Sequence, residues 1–258
     1  MRLIQEAKGF LFDLDGVFCQ SGKPIPGAID TLDFLNNNKI PFRFLTNTTQ
    51  QNRETLTNSL NRIGLVCTDS EIISAGFIGV EYLRKMGSPT CRFFISENLK
   101  LDYLEFEENF RNPEVIVIGD YSQWTFNLLN EAFSHVMNGA KIIALHQGKY
   151  YKVDSGLRLD AGGFIKALEY VTGKEAYLVG KPKKSFFQHG LNELKLASKE
   201  VVMIGDDLIN DIKGAQNSGI AGVLVKTGKY HEGMVESSGI IPDGFINSIA
   251  DLPTILNT

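Results

Sequence analysis

Four short apolar runs, each ending in polar or glycine residues, constrain the fold of this chain more than any other feature of its sequence. They lie at residues 9–12, 41–45, 176–179 and 201–204. Stretches of helical periodicity accompany these runs, and this alternation is typical of βα units, which place parallel strands in one sheet. The sequence therefore predicts an α/β fold built on a parallel sheet.

The spacing of the runs predicts a second domain inserted into the first. Between the first two runs, Ile29, Leu32 and Leu35 form one helical stripe, which is enough for a single crossover helix. The stretch from residue 46 to residue 180 is far longer than a crossover needs. This stretch has apolar runs of its own at 91–96, 115–119 and 141–146, and a helical pattern at 126–137. We therefore expect a core domain at 1–79 and 176–258 and a smaller α/β domain inserted at 80–175.

The composition indicates a chain that can bury a large apolar core and carries little net charge. Of its 258 residues, 43% are hydrophobic and 22% are charged, and the net charge is −4. No net positive field attracts nucleic acid or anionic lipid, so we expect neither nucleic acid nor a membrane as a partner. The sequence has no apolar run of about 18 residues and no secretory signal, which favours the cytoplasm. Its three cysteines have no CxxC spacing and predict no disulfide framework.

The first apolar run ends in a pair of acids, Asp13 and Asp15. In an extended segment, residues i and i+2 face the same way, so we expect the two carboxylates to project together beyond the strand. Two like charges this close stay ionised most easily beside a cation, and oxygen ligands suit a hard ion such as Mg²⁺. An Asx turn leading out of the strand is the alternative explanation of so short a motif.

The other three runs also end in side chains that suit phosphate or metal. The residues behind them are Thr46 and Asn47, then Lys181, and then Asp206, Asp207 and Asp211. By itself each is also an ordinary turn, surface or helix-capping residue. Ligands of open α/β sheets bind beyond the carboxyl ends of the strands, where all of these side chains are expected. Together they predict a site with a nucleophile, an acid or base, hydroxyl and amide donors, a cation and metal ligands.

Four motifs resemble those of phosphatases in the haloacid dehalogenase (HAD) superfamily. They are FDLDGV at 12–17, LTN at 45–47, VGKP at 179–182 and MIGDDLIND at 203–211. A domain inserted between the second and third motifs is the arrangement of class IIA members, so the resemblance covers nearly the whole chain. It implies a HAD-like Rossmannoid core with an inserted C2-type cap domain. Two members that the chain resembles more closely have serine, in their animal forms, where this chain has Asp15, so their substrate preference transfers poorly.

The resemblance implies a phosphatase that uses Mg²⁺ and forms an aspartyl-phosphate. Asp13 is then the nucleophile, and Asp15 is the general acid that protonates the leaving oxygen and later the base that activates water. The implied metal ligands are Asp13, the backbone carbonyl of Asp15, and Asp206.

The resemblance also implies how the substrate is held. Thr46, Asn47 and Lys181 would bind the phosphoryl oxygens, while Asp207 and Asp211 would orient metal-bound water or Lys181. The expected substrate is a small phosphorylated metabolite. A homodimer through the inserted domain is implied by the family alone.

Other functions compete with a phosphatase. A phospho-aspartate signalling or binding module also uses a strand-end Asp, an acidic pair, a Thr and a Lys around Mg²⁺, but it needs no inserted domain. A family member without general phosphatase activity is the second alternative. A dehalogenase needs neither metal nor the second Asp, and no GxGxxG follows a strand, which disfavours dinucleotide binding.

Aromatic residues and histidines leave smaller questions open. Trp124, Tyr150 and Tyr151 either contact an organic leaving group or belong to the core or dimer contact of the inserted domain. The four histidines, His135, His146, His189 and His231, lack metal-ligand spacing, and we expect them to be structural.

Overall fold

The strands Gly9–Phe12, Val115–Ile118 and Val201–Gly205 are buried along their whole length, as expected for parallel strands that are covered on both faces. A computed structural model describes residues 2–153 and 156–257, with the backbone alone for 152 and 153. Within these residues the strands are β1 (Gly9–Phe12), β2 (Cys19–Gln20), β3 (Lys23–Pro24), β4 (Phe42–Thr46), β5 (Ile72–Ser74), β6 (Cys91–Phe94), β7 (Val115–Ile118), β8 (Lys141–Ala144), β9 (Tyr150–Val153), β10 (Gly156–Leu159), β11 (Tyr177–Leu178), β12 (Val201–Gly205), β13 (Ala221–Val225) and β14 (Gly244–Ile246).

Helices connect most of these strands. In the same described residues the α-helices are α1 (Arg2–Gln5), α2 (Ala28–Asn37), α3 (Arg53–Arg62), α4 (Ala75–Lys85), α5 (Glu97–Lys100), α6 (Phe126–Met137), α7 (Ala161–Thr172), α8 (Lys184–Leu194), α9 (Gly214–Asn217), α10 (Met234–Ser238) and α11 (Leu252–Leu256). A π-helical turn covers Leu208–Lys213, and short 3₁₀ turns cover Asp69–Glu71, Leu101–Tyr103, Ser198–Glu200 and Ile249–Asp251. None of the helices in the described ranges is long and apolar enough to cross a membrane.

The chain divides into two units, and the first carries a six-stranded sheet. This unit comprises Met1–Thr46, Thr57–Ile73 and Lys181–Thr258. Its strand order is β14-β13-β12-β1-β4-β5, and β1 runs parallel to both β12 and β4. All four residues of β1 are buried, and Phe12 packs against the rings of Phe18 and Phe44. Each such buried side chain contributes roughly 1.5–3 kcal/mol through removal of apolar surface from water.

The second unit comprises Asn47–Leu56 and Ser74–Gly180 and has a parallel sheet of its own. Its strand order is β11-β8-β7-β6. The helices α6 and α7 bury Val136 and Ile165 in the core of this unit, together with Ile116 and Ile142 of the sheet. Strands β9 and β10 form a separate antiparallel pair. The unit is wider than the predicted 80–175, because it also includes 47–56, 74–79 and 176–180.

One of the four apolar runs belongs to a different sheet from the one predicted. Tyr177 and Leu178 pair with Ile143 and Ala144, so β11 extends the sheet of the second unit rather than that of the first. Its local sequence resembles a core strand, but long-range pairing decides which sheet it joins. Lys181, which follows it, is nevertheless the first residue of the chain's return to the first unit. The prediction that all four runs end at one sheet edge is therefore wrong for this run.

Candidate active site

Two neighbouring strands bring acids together at the carboxyl edge of the first sheet. Strands β1 and β12 are parallel, with Phe12 opposite Ile204, so Asp13 and Asp206 follow them at the same edge. The Asp13 N–H donates to the Ile204 carbonyl at 3.0 Å. Ligand oxygens of Asp13, Asp206 and Asp211 lie within 4.8 Å of one another, and all three residues are buried. Three carboxylates this close need compensating positive charge.

Lys181 supplies part of that positive charge. Its side chain is 2% exposed, and its Nζ donates to Asp13 Oδ1 and to Asp211 Oδ1, each at 2.7 Å. Burial by itself would lower the pKa of Lys181, but the two carboxylates outweigh burial, and the pKa is raised above its ordinary value. The lysine is therefore a fixed cation that bridges the residue after β1 and the π-helical turn.

The Asp206 carboxylate fits a metal ion. Its Oδ2 accepts a hydrogen bond from the Lys229 N–H at 2.8 Å. Its Oδ1 is buried, and no group in the described part of the chain donates to it. Burial, followed by the charges of Asp13 and Asp211, raises the pKa of Asp206 well above its ordinary value. A buried oxygen without a donor, among carboxylates that repel one another, is the arrangement that a divalent cation satisfies.

Asp15 differs from Asp13 in its surroundings. Asp15 as a whole residue is exposed, whereas Asp13 is buried, but protein atoms surround the Asp15 carboxyl group. Desolvation by the surrounding site, with a smaller contribution from the Asp13 charge, raises the pKa of Asp15 to about 6. The Cys19 thiol lies 3.8 Å from Asp15 Oδ1. Burial, followed by the charge of Asp15, raises the pKa of Cys19, so this thiol is a poor thiolate nucleophile.

Asp207 and Asp211 hold the π-helical turn in place. Asp207 Oδ1 accepts from the N–H groups of Ile209 and Asn210, each at 2.9 Å, as a helix N-cap does. Asp211 Oδ2 accepts from the Asp207 N–H at 3.1 Å, while its Oδ1 accepts from Lys181. Asp211 therefore contacts Lys181, as the resemblance implies, while Asp207 caps the turn that carries Asp211. Their roles toward a metal ion or a substrate stay predictions.

Thr46 and Asn47 are adjacent in sequence but belong to different units. Thr46 ends β4, beside β1, and is buried. Asn47 begins the first segment of the second unit, and a Cβ on Gly180 of the same unit would lie 2.5 Å from its Oδ1. Both residues have contacts with other groups of the protein. Their role toward a phosphoryl group stays a prediction.

Lys229 is a site residue that the sequence pattern did not predict. Its N–H bonds Asp206, and its Nζ pairs with Asp207 Oδ2 at 2.8 Å. Partial desolvation by the surrounding site lowers the pKa of Lys229, whose side chain is still 60% exposed, but Asp207 and then Asp206 outweigh that effect and raise it. The one available signal was a Gly-Lys pair shortly after an apolar run, the same pattern as Gly180-Lys181.

A second polar cluster lies in the second unit, at the carboxyl ends of β7 and β8. His146 Nε2 lies 3.6 Å from Asp120 Oδ1, and His146 Nδ1 lies 3.8 Å from Asp160 Oδ2. Nδ1 accepts from the Gly148 N–H at 3.3 Å, which assigns the ring proton to Nε2, toward Asp120. Asp120 also accepts from the Thr49 hydroxyl at 2.8 Å. The three side chains could hold a cation, although an engaged Nδ1 favours the structural role predicted for His146.

The aromatic residues of the second unit have different surroundings. Trp124 stacks between Phe94 and Phe164, with ring centroids 4.9 and 5.0 Å away, and packs against the core of this unit. Tyr150 is 59% exposed on β9. A core contact therefore explains Trp124.

The first sheet has buried carboxylates and a lysine at its carboxyl edge, and a second α/β unit is inserted in the chain. These features are typical of α/β enzymes that bind an anionic substrate and a cation. Two family models match the chain. The model described as haloacid dehalogenase-like hydrolase matches residues 10–107, and the model described as HAD-hydrolase-like matches residues 178–252.

Relatives of known sequence match nearly the full length. The phospholysine phosphohistidine inorganic pyrophosphate phosphatase of Rattus norvegicus is 32% identical over 256 residues, which is 96% of this chain and 94% of that protein. The haloacid dehalogenase-like hydrolase domain-containing protein 2 of Rattus norvegicus is 36% identical over 224 residues, or 86% and 85% of the two chains. The chain belongs to the haloacid dehalogenase-like hydrolases.

Solved structures have the same fold. A p-nitrophenyl phosphatase from Archaeoglobus fulgidus aligns with a TM-score of 0.91 and 26% identity, covering 97% of this chain and all of the other. A 4-nitrophenylphosphatase from Thermotoga maritima aligns with a TM-score of 0.92 and 24% identity, covering 98% and 99% of the two chains. The HAD-like α/β fold and the class IIA resemblance are thereby confirmed.

Proposed function

We propose that this protein is a Mg²⁺-dependent phosphatase that hydrolyses a small phosphomonoester through an aspartyl-phosphate on Asp13. The observation that carries the proposal is the buried arrangement of Asp13, Asp206 and Asp211 around Lys181 at one sheet edge. The phosphatases among the relatives and the structural neighbours support it.

Two hydrogen-bond donors fix the Asp13 carboxylate for attack on phosphorus. Its Oδ1 accepts from Lys181 Nζ at 2.7 Å and from the Leu14 N–H at 2.9 Å. These donors hold the carboxylate in one orientation, as a nucleophile needs. In the first step an Asp13 oxygen–phosphorus bond forms and the ester oxygen–phosphorus bond breaks. Lys181 then offsets the charge of the transferring group.

Asp15 moves the proton in both steps. A pKa of about 6 leaves a useful fraction of Asp15 protonated near neutral pH, as a general acid needs. Asp15 gives its proton to the leaving oxygen, and the resulting carboxylate then takes a proton from the water that attacks phosphorus. That second step breaks the Asp13–phosphate bond and returns Asp15 to its protonated form.

Asp13, Asp206 and the backbone carbonyl of Asp15 are the groups that would hold Mg²⁺. When bound, the ion would supply positive charge for the phosphoryl oxygens and balance the carboxylates. The buried Asp206 Oδ1, which no described group bonds, supports this assignment. Asp207 and Asp211 act indirectly: Asp211 orients Lys181, and Asp207 supports the turn that carries Asp211.

The substrate class is inferred from the family as a small phosphorylated metabolite. Thr46, Asn47 and Lys181 would bind the phosphoryl oxygens. A phospho-aspartate signalling module is less favoured, because its phosphoryl group must persist while Asp15 is suited to hydrolysing it. A member with a single narrow substrate would share every feature of the site.

The first experiment is phosphate release from a panel of phosphomonoesters, pyrophosphate and an aryl phosphate, with Mg²⁺ and with EDTA. We expect turnover that EDTA abolishes. Asp13→Asn should reduce it at least about 10³-fold while the protein stays folded, because the amide cannot form the covalent intermediate. Circular dichroism checks folding.

Asp33→Asn is the matched control, since Asp33 is an exposed acid on α2. It should keep wild-type turnover. If Asp13→Asn retains most of the activity, the nucleophile is assigned wrongly. A phosphoenzyme that forms on wild type and persists, without release of phosphate, would instead support the signalling module.

A further inference from the structure

The turn that follows β13 touches the acidic edge of the first sheet. We call Thr227, Gly228 and Lys229 the 227–229 turn. Strand β13 is the parallel neighbour of β12, so the turn begins at the edge where Asp206 lies. The Lys229 N–H donates to Asp206 Oδ2 at 2.8 Å, and the Thr227 hydroxyl donates to the Gly16 carbonyl. The turn therefore bonds the segments that follow β12 and β1.

Two glycines leave no room around the Asp206 carboxylate. A Cβ on Gly228 would lie 2.0 Å from Asp206 Oδ2 and 2.6 Å from the Gly16 Cα. A Cβ on Gly16 would also lie 2.0 Å from Asp206 Oδ2. Both glycines have positive φ, 61° and 86°, which other residues adopt at a cost of about 1–2 kcal/mol. The two backbones thus enclose this oxygen, and no side chain fits between them.

Because of this enclosure, the two carboxylate oxygens of Asp206 have different surroundings. Oδ2 is held by a backbone donor, and the backbones of Gly16 and Gly228 lie close to it. Oδ1 stays buried, and no donor in the described ranges reaches it. A backbone donor is preorganised, because it has no rotamer freedom to lose. One oxygen is therefore fixed so that the other is presented for ligation.

The Lys229 side chain has a separate task. Its Nζ pairs with Asp207 Oδ2, which also accepts from the Asn210 side chain. The Lys229 side chain is 60% exposed, whereas that of Asp207 is 17% exposed. The ammonium group therefore offsets the charge of Asp207 from the solvent side, while the N–H of the same residue acts on Asp206.

We propose that the 227–229 turn is a positioning element for metal binding, in which the Lys229 N–H and Gly228 hold Asp206 in the orientation that presents Oδ1 to a divalent cation. The inference rests on the proposed function, because that function assigns Asp206 as a metal ligand. The backbone of the turn is responsible, and the Lys229 ammonium group is not.

The test measures Mg²⁺ binding by isothermal titration calorimetry on the folded, EDTA-treated protein without substrate. Gly228→Ala is expected to weaken Mg²⁺ binding about 10–100-fold, because its Cβ displaces the Asp206 carboxylate. Gly233→Ala is the matched control: its φ is 79° and no atom lies within 4 Å of its Cβ position. Both variants have the backbone strain, but only Gly228→Ala touches Asp206. Equal Mg²⁺ affinity in the two variants would overturn the proposal.

Lys229→Met distinguishes the contribution of the Lys229 N–H to Mg²⁺ binding from that of its ammonium group. It keeps the N–H to Asp206 and removes the ammonium group, so Mg²⁺ affinity should stay within about twofold of wild type or become tighter. Lys226→Met is the control, because Lys226 faces the rings of Tyr230 and Phe245. A loss in Lys229→Met as large as in Gly228→Ala would assign the positioning to the side chain and contradict the proposal.

A second variant covers the case in which Gly228→Ala does not fold. Thr227→Val removes the hydroxyl bond to the Gly16 carbonyl with little change of volume, and it should weaken Mg²⁺ binding, while Thr227→Ser should restore it. Wild-type Mg²⁺ affinity in Thr227→Val would then contradict a positioning role of the turn.

The outcomes distinguish this inference from the proposed function. If wild type hydrolyses phosphoesters with Mg²⁺ and these variants bind Mg²⁺ with unchanged affinity, only this inference fails. If wild type binds no Mg²⁺ and EDTA leaves turnover intact, the metal-dependent function fails with it.

Discussion

Among the single residues of the site, Asp206 and Lys229 each perform two tasks with two different groups. Asp206 accepts a backbone hydrogen bond with Oδ2, and its Oδ1 is buried at the position proposed for a cation. Lys229 donates its N–H to Asp206 and its Nζ to Asp207. A substitution that tests either residue must therefore remove the atoms of one task and keep those of the other.

Asp206→Asn tests the metal assignment at this scale. The substitution removes one negative charge from a cluster of three carboxylates, so the Mg²⁺ concentration for half-maximal activity should rise at least about tenfold. Titration of Mg²⁺ into EDTA-treated enzyme measures it, with Asp33→Asn as the control. An unchanged Mg²⁺ requirement would mean that this carboxylate is only structural.

Residue types near strand ends could be predicted, but Lys229 could not. Acids that follow apolar runs predict Asp13 and Asp206 as metal ligands and Asp211 as an orienting residue, and the structure brings these three carboxylates together. A lysine in a loop is usually solvated. The partner that gives Lys229 its role lies 22 residues earlier in the sequence and becomes a neighbour only when β12 and β13 pair.

At the scale of elements, the π-helical turn after β12 sets the direction of Asp211. The Asp207 carbonyl accepts from the Asp211 N–H at 3.0 Å, with α-helical spacing, and from the Ile212 N–H at 3.2 Å, with the i to i+5 spacing of a π turn. Asp211 also packs against Gly205, where a Cβ would lie 2.3 Å from the Asp211 Cβ. The π form depends on these backbone contacts, which the apolar pattern of the sequence does not distinguish from those of an α-helix.

The Asp207 cap should contribute measurably to stability. Asp207→Ala frees the N–H groups of Ile209 and Asn210, and we expect the free energy of unfolding at pH 7 to fall by about 1 kcal/mol. Asp207→Asn keeps a capping oxygen and should lose less. Urea denaturation measures both. Equal losses in the two variants would mean that the charge, and not the capping oxygen, is responsible.

The difference in the free energy of unfolding between wild type and Asp207→Ala should depend on pH. Burial would raise the pKa of Asp207, but Lys229 and the Asn210 N–H outweigh it and lower the pKa to about 2. A lowered carboxyl pKa stabilises the folded state above the unfolded value of about 4, and this contribution is lost as the pH falls toward 2. The difference between wild type and Asp207→Ala should therefore shrink in acid.

At the scale of the whole molecule, the inserted unit leaves apolar side chains exposed. Phe126 of α6 is 83% exposed, and Tyr170 and Val171 of α7 are 89% and 55% exposed. Burial of such surface is favourable by about 25 cal/mol per Å². These side chains support the homodimer through the inserted unit, which stays a prediction, as does the cytoplasmic location.

Light scattering tests the dimer. We expect a mass of about twice 28.6 kDa for wild type. Phe126→Glu with Val171→Glu should shift it toward the monomer, because charged groups oppose burial of the contact. Val66→Glu is the control, since Val66 is 61% exposed in the first unit. A wild-type monomer at high micromolar concentration would contradict the prediction.

The sequence by itself determined the parallel strands, the presence of an insertion and the acids at the strand ends, because each depends on local patterns: a short apolar run, an overlong connection, and polar residues at a fixed offset. Only the tertiary structure decided that β11 joins the second sheet, that Lys181 bridges Asp13 and Asp211, and that the 227–229 turn encloses Asp206. These features depend on contacts between residues far apart in the chain. Such contacts form when strands pair and side chains pack, and local sequence does not specify which partners will meet.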